Sequence, residues 1–284
     1  MATVTLVNRK GGCGASSLVS HLSGPLVAAL RAKHGADARL LIIDADPLCG
    51  TSSLLVGDEL GDRAATVATV LAGQRRLPDA AIALDGPTSP LDEPQSAARA
   101  GINLLPGSAN VTVRFPDPDR LIVLRELIAA APGRDVQMVL IDAGAAAGDL
   151  GESALVAADH IAAVTLPATL DIRGVDMLEH KTELIRRRFP QAQPVGTVLV
   201  NRYDRAHRSD RDAVTELERR FGERLAHPLV PYSAAIKQAN AVGLPLSALA
   251  PLPSARLTEV FEQLAAVLID RLNSHDSTIG RTEA

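Results

Sequence analysis

Short runs of continuously apolar residues alternate along the chain with longer stretches in which apolar positions recur every three or four residues. The short runs lie at 3–8, 39–43, 102–106, 137–141, 160–166, 195–200 and 228–231. Several lack the in–out alternation of a half-solvated strand and fit strands covered on both faces. The longer stretches, at 16–34, 119–131, 174–189, 210–224 and 254–272, fit helices. In the last of these Leu257, Val260, Phe261, Leu264, Leu268 and Leu272 share one face, with Ser254 placed to cap it. Core packing is the expected use of that face; a partner or a membrane is the alternative. Pro25 is expected to kink or divide the first helix, since proline removes a helical hydrogen bond. The segment 85–98, rich in Pro, Ser and Asp, reads as an exposed loop. This alternation predicts an α/β fold, a doubly wound, mostly parallel sheet flanked by helices. One domain over residues 1–273 and a polar tail over 274–284 account for the pattern.

Composition narrows the function classes. With 46% hydrophobic residues among 284, a buried core needs neither disulfides nor metals. A net charge of −4 argues against a whole-surface nucleic-acid footprint, and 2% aromatics with no Trp leave no base-stacking platform. Cys13 and Cys49 form neither a CxxC pair nor a zinc spacing, which fits a reducing compartment. The seven histidines show no ligand spacing. The first residues run into a polar glycine-rich stretch without a signal-peptide layout, and no apolar run approaches the roughly 20 residues that span a bilayer. A cytoplasmic protein without direct membrane insertion is expected.

The strongest chemical signal follows the first strand, where Lys10-Gly11-Gly12-Cys13-Gly14-Ala15-Ser16-Ser17 leads into a helix. Glycines there allow close backbone approach, and free N–H groups at the helix start point at an anion. Two further apolar runs end in acid: Asp44 and Asp46 after the second, Asp142 after the fourth. Alternation puts Asp44 and Asp46 on one side of the chain, at the carboxyl edge of the sheet where ligands of such folds bind. A run ending in Asn201-Arg202 adds an amide with one donor side and one acceptor side.

The loop resembles the deviant P-loop of the ParA/MinD family of ATPases, KGGxGK[ST][ST], matching it at Lys10, Gly11, Gly12, Gly14, Ser16 and Ser17. Ala15 stands where that family has the lysine that reaches the β- and γ-phosphates. The resemblance implies ATP or ADP with Mg²⁺ held by residues 10–17, with Ser16, Asp44 and Asp142 on the metal side. It implies Asp46 as the residue orienting the attacking water and Lys10 as a lysine that reaches the partner's nucleotide in a homodimer formed on nucleotide binding. Asn201, Arg202 and Pro231 fall where the family contacts the base, and residues 239–245 are also family-like. After Asp142 the family's Thr-Pro-Pro is replaced by Ala143-Gly144-Ala145-Ala146, expected as a flexible substitute that weakens coupling to the phosphates.

Within the family, the spelling KGGCGAS looks most like the CpaE/TadZ group, which helps to localise Tad-type pilus machines. That implies an ATP-binding switch or scaffold with slow or absent hydrolysis, protein partners in a pilus or secretion machine, and placement at the pole or the inner membrane face through those partners. The receiver-like domain that often precedes the ATPase domain in that group has no counterpart here. A DNA- or cargo-partitioning ATPase is the alternative, with Arg205, Arg208, Arg211, Arg219 and Arg220 as its candidate basic stretch. Interleaved acids favour a solvated helix face there. A third class, an ATP-dependent amide- or ring-forming ligase, requires the phosphate chemistry that Ala15 removes.

Overall fold

The computed structural model describes residues 1–57, 65–86, 89, 91–109, 113–131, 135–249 and 255–279. Seven strands form one sheet: β1 Ala2–Val7, β2 Arg39–Asp44, β3 Ile82–Ala83, β4 Ile102–Leu105, β5 Val136–Asp142, β6 His160–Thr165 and β7 Val195–Val200, in the order β3-β4-β2-β5-β1-β6-β7. All pairings are parallel except the short edge pair β3–β4. The helices are α1 Ala15–His34, α2 Gly50–Val56, α3 Val67–Leu71, α4 Leu77–Ala80, α5 Glu93–Ala98, α6 Val123–Ala130, α7 Gly148–Ala157, α8 Thr169–Arg188, α9 Arg208–Phe221, α10 Ala234–Ala241 and α11 Ala255–Ile279.

The sheet is covered on both faces, which is why its strands read as unbroken apolar runs. Val4 and Leu6 of β1 enter the core beneath α1 and α11, while Val7 enters the opposite core beneath α6, α7, α8 and α9. The chain leaves β1 towards β2 and β4, returns through β5, and then crosses to β6 and β7 on the far side of β1. That reversal opens a crevice at the carboxyl ends of β1, β5 and β6, the position where doubly wound sheets bind ligands.

Four expectations change. Helix α1 runs unbroken through Pro25, because ten of its residues, from Ala15 to Leu30, are buried and outweigh the roughly 3 kcal/mol cost of an internal proline. The run 228–231 is not a strand: Pro228 and Pro231 lack N–H donors, so only Ala226 and Val230 reach β7, donating to the carbonyls of Val198 and Val200 at 2.9 and 3.0 Å. The segment 85–98 contains α5, capped by the Asp92 carboxylate on the Gln95 N–H. The tail beginning at residue 274 continues α11 as far as Ile279, and the expected cap at Ser254 lies outside the described residues.

Candidate functional site

Strand β1 ends against residues 8–14, and α1 begins at Ala15. Gly12 and Gly14 both take φ of 88°, a left-handed conformation that glycine adopts without penalty. Gly14 gives the helix no side-chain cap, and no acidic residue stands in its first turn, so the positive end of α1 faces the crevice bare. Ala15 is buried, with 2% of its surface exposed. Lys10 and the glycines at 11 and 12 are exposed, whereas the Cys13 thiol is buried and 3.6 Å from Asp171. Burial, then the charge of Asp171, pushes that thiol up to about 11, so it stays protonated.

The β2–β5 register sets Asp44 beside Asp142 at the carboxyl edge. Both are fully buried, and two hydroxyls from α2 hold them: Thr51 Oγ1 donates to Asp142 Oδ2 at 2.7 Å, and Ser52 Oγ donates to Asp44 Oδ2 at 2.7 Å. The Ser52 N–H donates to the same Asp44 oxygen, also at 2.7 Å. Ser16 lies close enough to Asp142 to act on its carboxyl, so this candidate metal set of Ser16, Asp44 and Asp142 is brought together. A Cβ at Gly50 would lie 2.6 Å from Ser16 Oγ, so the start of α2 presses directly on the loop. Thr51 and Ser52 escape a reading of the sequence because α2 is short; their only signal is a hydroxyl pair soon after the second acidic run.

Asp46 is partly exposed and faces Gly144, where a Cβ would lie 2.4 Å from its carboxylate. The segment after Asp142 is therefore not the flexible substitute expected. The Gly144 N–H donates to Asp142 Oδ1 at 3.0 Å, its carbonyl accepts from the Asn8 N–H at 2.8 Å, and Lys181 Nζ donates to the Ala146 carbonyl at 2.6 Å. Gly144 is the residue that lets Asp46 approach.

At the carboxyl end of β7, Asn201 is buried and both ends of its amide are engaged: Nδ2 donates to the Cys13 carbonyl at 2.8 Å, and Oδ1 accepts from the Arg202 N–H at 2.9 Å. It braces the loop, a role its position in the sequence does not reveal. Arg202 is exposed, with positive φ, and its Nη2 would be 3.9 Å from a Cβ at Gly14. Pro231 bridges to Tyr203 beside it. The family-like segment 239–245 reaches the loop through Asn240, whose Nδ2 donates to Ser17 Oγ at 2.9 Å and whose Oδ1 is 2.9 Å from His21 Nε2. Lys10 pairs within its own chain with Asp171 at 3.6 Å, its side chain 62% exposed.

Burial, then the charge of Asp142, pushes Asp44 up to about 7, and burial also raises Asp142. Two buried carboxylates side by side, with hydroxyls on their outer oxygens, are a donor set that a hard divalent cation would relieve of charge. Together with the bare helix end, this fits a magnesium-bound polyphosphate. Among the described residues no group of three or more His, Cys, Asp or Glu could hold a metal, so a cation here would keep several waters, as Mg²⁺ does.

The same shift has a consequence for stability. The native protein binds the Asp44 proton more tightly than the unfolded chain, whose carboxyl titrates at the ordinary 3.8, so this contribution is fully present below that value and is lost as pH rises through about 7. Calorimetry of the ligand-free protein should therefore show a melting temperature that falls by several degrees between about pH 5 and pH 8. Asp44→Asn should flatten that slope, and a wild-type melting temperature rising across the window would contradict the assignment.

A mostly parallel sheet flanked by helices, with a glycine loop and a bare helix end at its reversal point, is the fold this chain shares with several solved structures. No family model matches the chain. Over 246 residues it is 26% identical to the chromosome-partitioning ATPase Soj of Treponema pallidum, spanning 86% of this chain and 88% of that protein. The structure of Cyanothece McdA in complex with ATP superposes with a TM-score of 0.74 at 17% identity, covering 94% of this chain and 96% of the other. Cobyrinic acid a,c-diamide synthase of Mycobacterium smegmatis, with bound ADP and magnesium, gives 0.70 at 20% identity over 96% of each chain. McdA and a diamide synthase thus share this fold, and the site has to separate the functions it can carry. Among the described residues no helix is long and apolar enough to cross a membrane.

Proposed function

We propose that this protein is an ATP-binding dimerisation switch or scaffold of the ParA/MinD type that positions a cellular machine, with slow or absent hydrolysis. The observation that carries the reading is the bare N-terminus of α1 facing two buried, hydroxyl-held carboxylates. Residues 10–17 would hold the phosphates through backbone N–H groups, and Ser16, Asp44 and Asp142 would hold Mg²⁺, whose contribution is to neutralise charge on the phosphate oxygens. Asp46 would orient water, and Asn201, Arg202 and Pro231 would border the base. With alanine at position 15 the charge that gathers during phosphoryl transfer has no lysine to meet it, so the nucleotide acts chiefly as a long-lived ligand that favours one assembly state. That same gap sets the site apart from an amide-forming enzyme, which has to turn ATP over. The spelling of the loop points to a CpaE/TadZ-like role in pilus assembly.

In this reading Lys10 exchanges its own Asp171 for phosphates of the partner's nucleotide, so dimerisation requires both ATP and Lys10. Light scattering should give a doubled mass with ATP and Mg²⁺, and a monomer without them or in Lys10→Ala. A constant mass under all conditions would defeat the switch.

Similarity to Soj favours a second reading, a partitioning ATPase with non-specific DNA affinity. Against it, Arg219 and Arg220 both donate to Glu216, Arg208 pairs with Asp212, and Arg224 pairs with Glu179. These pairs engage three of the five arginines of that stretch, which reduces the charge left for phosphate contacts. Salt-sensitive binding to random duplex DNA would promote the partitioning reading.

A further inference from the structure

Arg99, in the link between α5 and β4, is buried, with 2% of its surface exposed. Among the described residues no carboxylate answers its charge, and its Nε and Nη1 are buried without a hydrogen-bond partner. Burial pushes its pKa down to about 10, which leaves it charged at neutral pH. A buried cation with stranded donors costs stability, and an apolar side chain of similar volume often serves a core as well or better. Packing alone gives no reason for an arginine here.

The remaining nitrogen shows what the side chain does. Nη2 donates to the carbonyl of Leu54 at 3.1 Å and to the carbonyl of Gly243. Leu54 lies in the last turn of α2, and Gly243 lies just beyond the end of α10. Carbonyls at a helix end lack a donor from their own helix. A Cβ at Gly243 would be 3.5 Å from the Leu54 oxygen, so the two chain segments lie side by side at this point. Two carbonyl oxygens turned towards one nitrogen repel each other unless that nitrogen is present, so the guanidinium sets their spacing.

The same two helices meet the glycine loop at consecutive residues. Gly50, the first residue of α2, presses on Ser16, and Asn240 of α10 donates to Ser17 Oγ. Helix α2 also carries Thr51 and Ser52 to the buried carboxylates. His21, one turn beyond Ser17, is 2.9 Å from Asn240 Oδ1. Burial, with the charge of Arg99 adding to it, pushes that imidazole down to about 4 and keeps it neutral.

We propose that Arg99 is a positioning residue for the nucleotide loop, a clamp that joins the carboxyl ends of α2 and α10 and so fixes Ser16 and Ser17 relative to Asp44 and Asp142. Arg99 touches none of these four residues and acts on them through the two helices. The proposal rests on the reading of residues 10–17 as a nucleotide site, and the measurements below separate the two.

Arg99→Met removes the clamp and the stranded charge together. Its melting temperature should stay within about 3 °C of the wild type, because the relief of the cation offsets the two lost carbonyl contacts. Calorimetry should nevertheless show ATP with Mg²⁺ bound about tenfold or more weakly, the usual effect of losing a residue that supports a binding shell. Arg99→Lys, whose ammonium has three donors for the two carbonyls, should bind more tightly than Arg99→Met. Hydrogen exchange of the ligand-free protein should quicken about tenfold in both 50–57 and 239–245, and stay unchanged in the distant α9. Should Arg99→Met not fold, Arg99→Gln replaces it with the same expectations. Exchange that quickens in one segment only, in neither, or throughout the chain overturns the clamp. So does unchanged ATP affinity in a protein whose wild type binds ATP, or no recovery in Arg99→Lys. Wild-type protein that binds no ATP strikes the nucleotide reading instead, and hydrogen exchange then decides the clamp by itself.

Discussion

Gly14→Ala is expected to abolish measurable ATP binding and to lower the melting temperature well below that of Gly12→Ala. Both glycines sit at φ 88°, so both variants meet the same left-handed backbone, at about 1–2 kcal/mol for an L-residue. They differ in what the new methyl meets. At Gly12 no atom lies within 4 Å, whereas at Gly14 the Cβ would be 2.4 Å from Asn201 Nδ2. That amide donates to the Cys13 carbonyl and is buried, so displacing it strands both groups at about 1–3 kcal/mol. Together the two costs amount to about 5–15 °C in melting temperature for a chain of this size. The loop would also lose the brace that fixes its N–H groups, which is why the affinity loss should exceed the stability loss. Equal melting temperatures for the two variants would show that Asn201 does not support the loop.

Ala15→Lys is expected to raise ATP turnover by on the order of 100-fold, the value of one well-placed electrostatic contact to a transferring group. The position is the first residue of α1, between the bare helix end and the crevice that Asp44 and Asp142 line. The remaining parts are present: Ser16 lies beside Asp142, and Asp46 is held against Gly144. The long side chain of Ala15→Met without its charge should leave turnover at the wild-type level, separating charge from bulk. If Ala15→Lys binds ATP but turns over no faster, the rest of the machinery cannot perform the transfer, and a static scaffold becomes the better description.

The fold was legible because parallel strands covered on both faces write themselves as apolar runs, and six of the seven expected runs are strands. The seventh, 228–231, misled because its prolines share an apolar look with strand residues while lacking their donors. Loop, acidic pairs and the asparagine were legible as motifs, and the structure brings residues 10–17, Asp44, Asp46, Asp142 and Asn201 to one edge of the sheet. What the sequence concealed were the supports. Thr51 and Ser52 reach carboxylates through a bend that no periodicity announces, and Asn201 grips a carbonyl 188 positions away. Gly144 was misjudged because glycine signals both freedom and close approach, and only the position of Asp46 distinguishes the two.

The brace between Asn201 and Cys13, and the contact between Asn240 and Ser17 across 223 positions, also order events during synthesis. A ribosome that has released the first strand and helix has made the glycine loop but not the groups that shape it. Those arrive when the last strand and, two helices later, α10 have emerged and docked, as expected for a sheet closed by distant pairings. Nucleotide in the cell would accordingly select completed chains over nascent or truncated ones, and stabilise only the former by mass action.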